Sequence, residues 1–321
     1  MIEMTCRLIL QERWVPTNGR KAVLAPGTTL VVGRTEQADL VVPNDKHLSG
    51  LHFSLAWDGL VGTLRDLDSL KGTFLDGARV KTGEVRHGSW IRAGETDFSA
   101  YVEDKMPPPC DDEEEVGDFE PSSDEEKLLT AKQADETARR DTARMALAQL
   151  REQAAHQALF AILDAARHDR ILELLYQSVE PHQSLYEGIQ GEPLASVAPY
   201  LAGPFREDSV LLDRLVTEGW GRRWGIYISS SESFREVRRH FRRFLLVKVE
   251  EMVEPLYFRF YDPWVLGAFW SISSERQKSS FQGPSTGFFL ENEHILDGRR
   301  MHALIALSLH GAEIAKGSTM P

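Results

Sequence analysis

Nearly all of the chain's net charge sits in one short stretch, and that stretch decides how the rest can fold. The 321 residues carry a formal charge of −12. Residues 103–126 hold 12 acidic side chains and one lysine, whereas residues 1–102 hold 12 acidic and 12 basic, and residues 127–321 hold 25 and 24. Within the acidic stretch stand Pro107-Pro108-Pro109, the run Asp111 to Glu115, and Pro121-Ser122-Ser123. Like charges repel along the backbone, prolines interrupt helix and ladder, and little apolar surface is available to bury. One core cannot run continuously through such a segment. Residues 103–123 are therefore read as a disordered acidic linker between two folded regions. Ser122 and Ser123, beside Asp124, Glu125 and Glu126, are its candidate phosphorylation sites.

The flanking regions have the material for cores: the chain is 42% hydrophobic and 27% charged, ordinary usage for a soluble protein. No run of about 18 apolar residues occurs, so no membrane span is expected. Glu3, Arg7, Glu12 and Arg13 interrupt the N-terminal stretch, which reads as no signal peptide. Cys6 and Cys110 match no zinc or redox spacing. These features predict a cytoplasmic protein without structural disulfides. Neither large region has a basic surplus, so nucleic acid is not an expected partner.

The two regions differ in period. Residues 5–102 show short β-rich runs (Leu30-Val31-Val32, Leu40-Val41-Val42, Leu51 to Leu55, Gly72 to Leu75). Turn signals such as Pro26-Gly27, Asp58-Gly59, Asp76-Gly77 and His87-Gly88 separate them. This spacing predicts an all-β sandwich over residues 1–102. From Asp124 the pattern becomes Ala-rich and charge-laced, with no Gly or Pro before Pro181, and predicts a partly exposed connecting helix over 124–157. Residues 158–297 mix strand-like and helical runs and predict an α/β or α+β domain, followed by a helical tail over 298–321.

Three spaced motifs in the first region go together. Gly33-Arg34 ends a strand, Ser49-Gly50-Leu51-His52 follows fifteen residues later, and then comes Asp66-Leu67-Asp68-Ser69-Leu70-Lys71-Gly72-Thr73-Phe74-Leu75-Asp76-Gly77. A phosphate with its charge and three acceptor oxygens suits a guanidinium and a hydroxyl on adjacent loops. The ordered set resembles the forkhead-associated (FHA) domain, which binds phosphothreonine. The resemblance implies that Arg34 and Ser49 hold the phosphate and that His52 braces the loop from inside. It departs from the family in two places. Gly50 stands where a basic residue is common, and Lys71 stands where an asparagine amide clamps the peptide backbone. Lysine offers donors but no acceptor, so Lys71 would add charge in place of that clamp.

A second set of motifs lies beyond residue 158: Leu185-Tyr186-Glu187-Gly188, Leu194 to Leu201, Glu218 to Ile226, Arg238 to Phe244, and Pro255 to Leu266. Together they resemble the effector chaperone/adaptor family of bacterial type VI secretion, long catalogued as a domain of unknown function. The resemblance implies binding of a toxic effector and delivery to the spike protein. Most of the aromatics in these motifs belong in a core, with Trp220, Trp224, Tyr261 and Trp264 as candidate interface anchors. Arg235, Arg238, Arg239, Arg242 and Arg243 cover one broad face of a helix, a candidate surface for an anionic partner or for the acidic linker. Arg259 and Asp262 could pair, with Asp262-Pro263 ending a strand in a turn.

Enzyme signatures are missing. Ser229-Ser230-Ser231 lacks the glycines of a nucleophile elbow, there is no phosphate-binding loop or dinucleotide fingerprint, and the ten histidines show no metal spacing. The expectation is a non-enzymatic adaptor with no cofactor and no metal, binding an effector, the spike protein and a phosphothreonine protein. The alternative is a phospho-signalling scaffold in which the first domain is the principal reader.

Overall fold

A computed structural model describes residues 6–13, 19–105, 123–186, 194–247, 256–296, 299–308 and 311–314. Most of the acidic linker, residues 106–122, lies outside the described residues, as do Glu187, Gly188 and Pro255 of the second motif set. The chain divides into two compact units, one of Met1–Pro108 with Glu173–Pro181, the other of Pro109–Leu172 with His182–Pro321.

The first unit is the expected β-sandwich. Its strands are β1 (Leu8–Glu12), β2 (Lys21–Leu24), β3 (Thr28–Gly33), β4 (Leu40–Val41), β5 (Phe53–Trp57), β6 (Gly62–Asp66), β7 (Thr73–Leu75), β8 (Ala78–Val80), β9 (Thr82–Val85), β10 (Trp90–Ala93) and β11 (Thr96–Val102). One sheet runs β2-β1-β11-β10-β7-β8 and the other β4-β3-β5-β6-β9. Alternation along β5 sends Phe53, Leu55 and Trp57 inward, and along β6 it sends Leu64 inward between exposed Thr63 and Arg65. Facing them from the other sheet are Leu8, Leu10, Ile91, Phe98 and Ala100, all fully buried. This core anchors the strand ends from which the Arg34, Ser49 and Lys71 loops leave.

The second unit begins with α1 (Ser123–His156), near the predicted bounds, and continues with β12 (Leu159–Asp164), α2 (Arg170–Tyr176), β13 (His182–Ser184) and β14 (Pro199–Phe205). Next come α3 (Val210–Gly219), β15 (Gly225–Ser230), α4 (Phe234–Arg242), β16 (Leu246–Val247) and β17 (Leu256–Tyr257). The unit ends with α5 (Pro263–Ile272), α6 (Glu275–Gln282), β18 (Ser285–Leu296), β19 (Arg299–Ser308) and β20 (Gly311–Ile314). The main sheet is β13-β14-β12-β15-β18-β19-β20, with neighbouring strands antiparallel, the α+β form of the expected mixed domain. The second half of α1 is packed rather than a bare connector. Ala143, Ala146, Leu147 and Leu150 are buried, and Thr142 Oγ1 accepts a 3.0 Å hydrogen bond from Trp220 Nε1.

Two expectations are corrected. The helical tail over 298–321 is instead β19 and β20 as far as it is described. Buried Leu304 and Leu307 lie three apart, which imitates a helical face, but antiparallel pairing from Phe288↔Leu307 to Leu296↔Arg299 holds the segment extended. Asp262 does not end a strand, since β17 already stops at Tyr257. Its side chain accepts from Trp264 N and caps α5, with Pro263 in the first turn.

Candidate functional site

In the sandwich, three loops meet around Ser49. Arg34 leaves the end of β3, and its backbone N–H donates to Ser49 O at 3.0 Å. A Cβ on Gly33 would run into the Gly50 carbonyl, so the close approach of these loops requires glycine there. Asp45 holds the Ser49 loop from beneath: its buried carboxylate accepts from His47 N, Glu95 N and Thr96 Oγ1, each at 2.8 Å. Burial pushes the Asp45 pKa up, but these hydrogen bonds outweigh it and hold the carboxyl below its ordinary value.

His52, fully buried, ties the loops together. Its Nδ1 accepts from Ser49 N–H at 3.0 Å, which leaves Nε2 as the protonated nitrogen, donating to Gly72 O at 3.2 Å. Burial lowers its pKa, against hydrogen bonding to Gly72 and the charges of Asp66 and Asp45. From the third loop, Leu70 N–H donates to Ser49 Oγ at 3.0 Å. With one lone pair so engaged, the Ser49 hydroxyl proton is available to an incoming anion. Asp66 stabilises this loop by accepting from Ser69 N, Ser69 Oγ and Thr73 Oγ1.

The structure thus brings Arg34, Ser49 and Lys71 to one rim. Arg34 is exposed, with Nε donating to Leu48 O at 3.2 Å and its terminal nitrogens without a partner among the described residues. Lys71 is exposed one residue beyond Leu70. Sequence reading missed Arg79. The β7–β8 hairpin pairs Phe74 with Arg79, and a Cβ on Gly72 (φ +81°) would meet the Arg79 guanidinium. The Asp76-Gly77 turn was the signal that returns Arg79 to this loop.

The candidate contact residues of the second unit separate into two groups. Trp220, Trp224 and Tyr261 are buried, which removes them from any contact surface: Trp220 lies against α1, and the Trp224 ring covers Gly219. Trp264 is 52% exposed. On α4, Arg238 is buried and donates to Ser184 O and Tyr186 O, and Arg242 donates to Leu185 O, so two of the five arginines hold the strand edge at β13. Arg235, Arg239 and Arg243 are exposed. Arg239 pairs with Glu236 at 2.9 Å, and Arg239 and Arg243 join Glu232, Glu236 and His240 around a polar pocket of about 430 Å³. A carboxyl–carboxyl hydrogen bond to Glu236 raises the Glu232 pKa.

Nor do Arg259 and Asp262 pair as expected. Arg259 bonds to buried Asp164, whereas Asp262 bonds to Arg167 and lies 3.9 Å from Arg223. The Arg223 guanidinium lies 4.4 Å from the Trp264 ring centroid. Beyond this network, α5 buries Leu266 and Trp270 and exposes Trp264, Val265, Ala268 and Ile272 along one stripe. Among the described residues, no helix is long and apolar enough to cross a membrane, and no cluster of His, Cys, Asp and Glu suits a metal.

The β-sandwich joins its loops so that Arg34 and Ser49 share one rim above a buried bracing histidine. Residues 30–94 match the FHA domain family, and residues 159–280 match a domain of unknown function, DUF4123. The chain is 34% identical over 81 residues to the FHA domain-containing protein FhaA of Mycobacterium tuberculosis, a match covering 25% of this chain and 15% of that protein's length. The FhaA FHA domain, solved in complex with the intracellular domain of Rv3910, is 31% identical, with 29% of this chain and 98% of that chain covered and a TM-score of 0.27. A structure from work on phosphothreonine-dependent FHA domain interactions is 30% identical, covering 32% and 98%, with a TM-score of 0.28. The matches place an FHA domain in the N-terminal sandwich and a DUF4123 domain in the C-terminal region.

Proposed function

We propose that this protein is a non-enzymatic, cytoplasmic two-module adaptor. Its FHA domain captures phosphothreonine on a partner protein, and its DUF4123 domain holds a type VI secretion effector for loading onto the spike protein. The observation that carries the first half is the Ser49 hydroxyl, fixed by Leu70 N–H and braced through His52, beside the free guanidinium end of Arg34. Phosphate there would receive charge-assisted hydrogen bonds from two loops that His52 already holds in register. Support for the second half comes from the DUF4123 match and from α5, whose exposed Trp264 stripe offers aromatic surface of the kind that anchors interfaces.

Two measurements test the two halves. A phosphothreonine peptide should bind the full chain, its unphosphorylated form should not, and Arg34→Ala should weaken binding by about 10- to 100-fold, the range for hydrogen bonds to a charged group. Tagged wild-type and Arg34→Ala baits in native cell extract should both recover a secretion effector or spike protein. Recovery of phosphoproteins by wild type alone, with no secretion component, would replace the adaptor by a phospho-signalling scaffold.

A further inference from the structure

Along α5 the exposed side chains run large, small, large. Trp264 is 52% exposed and Ile272 84%, and exposed Ala268 stands midway between them. This leaves a notch on the helix surface, within a stripe of about 12 Å over eight residues. Arg223 borders the Trp264 end, its guanidinium 4.4 Å from the ring centroid. Three arginines, Arg167, Arg223 and Arg259, meet two buried carboxylates there, Asp164 and Asp262. Asp164 is taken by Arg259, and Asp262 by Arg167 and by the Trp264 N–H at 2.9 Å. The Arg223 guanidinium, 3.9 Å from Asp262, is left with no hydrogen bond among the described residues. Its backbone is also unusual: φ is +55°, a left-handed conformation that residues other than glycine rarely adopt. The fold thus holds a guanidinium against an aromatic ring with its donors unused.

A guanidinium fixed on a ring is suited to a carboxylate, and Trp and Arg are the side chains that most often anchor interfaces. The surroundings favour the same sign. Arg222 beside Arg223, and Arg276 and Lys278 just past Ile272, form no ion pair among the described residues; Glu275 is the one carboxylate in these two short segments. A second copy of the chain would bring the same positive surplus, so an acidic partner fits this face better than self-association. The stripe repeats every four residues, and the ridge that fits such a groove is that of another helix, with apolar side chains at i, i+4 and i+7. We propose that α5 and Arg223 receive an amphipathic helix of the effector, its apolar ridge seated on the Ala268 notch and a carboxylate at one end held by Arg223. This rests on the adaptor reading above and adds the chemical class of the segment that the adaptor holds.

The test uses the full chain and fluorescent, stapled helical peptides with leucines at i, i+4 and i+7. Three carry a pair of Glu, Gln or Lys residues at the N-terminal end. A fourth carries the Glu pair at the C-terminal end, and a fifth replaces the leucines of the first by serine. At low salt the better acidic peptide should bind about two- to fivefold tighter than the glutamine peptide, the scale of an exposed ion pair, with the lysine peptide weakest. Raised salt, or Arg223→Gln, should bring that ratio towards one. Ile272→Asp changes a side chain that lies in solvent, so the fold should survive it, and it should weaken the acidic peptides by about tenfold, as loss of an interface anchor does. No binding of any leucine peptide overturns the helix site, and equal binding of acidic and neutral peptides overturns the Arg223 contact. A serine peptide that binds as tightly as its leucine form overturns the site in favour of a nonspecific basic surface. A concentration-dependent doubling of molecular mass that Ile272→Asp abolishes gives the face to a second copy instead. In native extract, an effector retained equally by wild type and by Arg223→Gln/Ile272→Asp overturns the site and leaves the adaptor reading standing. Recovery of no secretion component by wild type fells the adaptor reading and this proposal with it.

Discussion

At the scale of single residues, the arrangement around Ser49 depends on an uncharged His52. Its Nδ1 must keep a lone pair for Ser49 N–H, and protonation would put two donors face to face. Because burial lowers its pKa in the folded state, the unfolded chain takes up a proton below the ordinary value near 6.5 before the folded chain does. His52 therefore contributes stability that is present above about pH 6.5 and is lost as pH falls below it. His87 in the same sandwich is lowered by burial in the same direction. The expected outcome is a thermal midpoint that drops between about pH 7.5 and pH 5.5 by more in wild type than in His52→Gln. Equal drops in both would assign the slope to His87 and other groups. Arg34 and Ser49 were legible in the sequence because each sits beside its own turn signal, and the loop that joins them needs glycine at 33. Arg79 was not, since its place against Gly72 appears only once the β7–β8 hairpin is registered.

Secondary-structure elements were legible wherever one face alone is buried. The β-rich run from Leu51 to Leu55 leads into β5, whose inward and outward side chains alternate with one period. Reading failed where both sides of an element are apolar. The α5 sequence PWVLGAFWSI has no polar face to mark a helical period, although its Asp262-Pro263 start is a helix signal. Next to it, α6 carries Phe281, fully buried, with ring centroids 5.6 Å from Phe241, 5.3 Å from Phe260 and 5.5 Å from Phe288. Phe281→Ala should cost about 3–5 kcal/mol in denaturant unfolding, the usual range for emptying such a site. A Trp264→Ala/Ile272→Ala double variant touches exposed side chains of α5, so its unfolding free energy should stay within about 1 kcal/mol of wild type. If α5 is the effector contact, the same variant should nevertheless lose effector retention. A variant that keeps both stability and retention would move that contact elsewhere.

For the whole molecule, the charge distribution marks residues 103–126 as the acidic stretch, and the last sandwich strand ends at Val102, whereas the grouping of Glu173–Pro181 with the first compact unit has no signal in the charge pattern. Which aromatic and basic residues reach solvent was not readable, because that depends on what α1, β13 and β19 cover. If both domains bind as proposed, the covalent link between them makes their binding cooperative. A partner complex engaged by one module meets the other at an effective concentration in the millimolar range, provided the linker allows both to bind. A phosphorylated cargo assembly should then be held about 10²-fold or more tighter than by either module alone. Surface plasmon resonance with immobilised assembly would read this as slow dissociation from wild type. Arg34→Ala and Trp264→Ala/Ile272→Ala should each restore fast dissociation, and the double lesion should add little after either one. Saturating free phosphopeptide should have the same effect as Arg34→Ala. Dissociation from wild type no slower than from Trp264→Ala/Ile272→Ala would show that the modules act one at a time, and the FHA domain would then serve a separate partner.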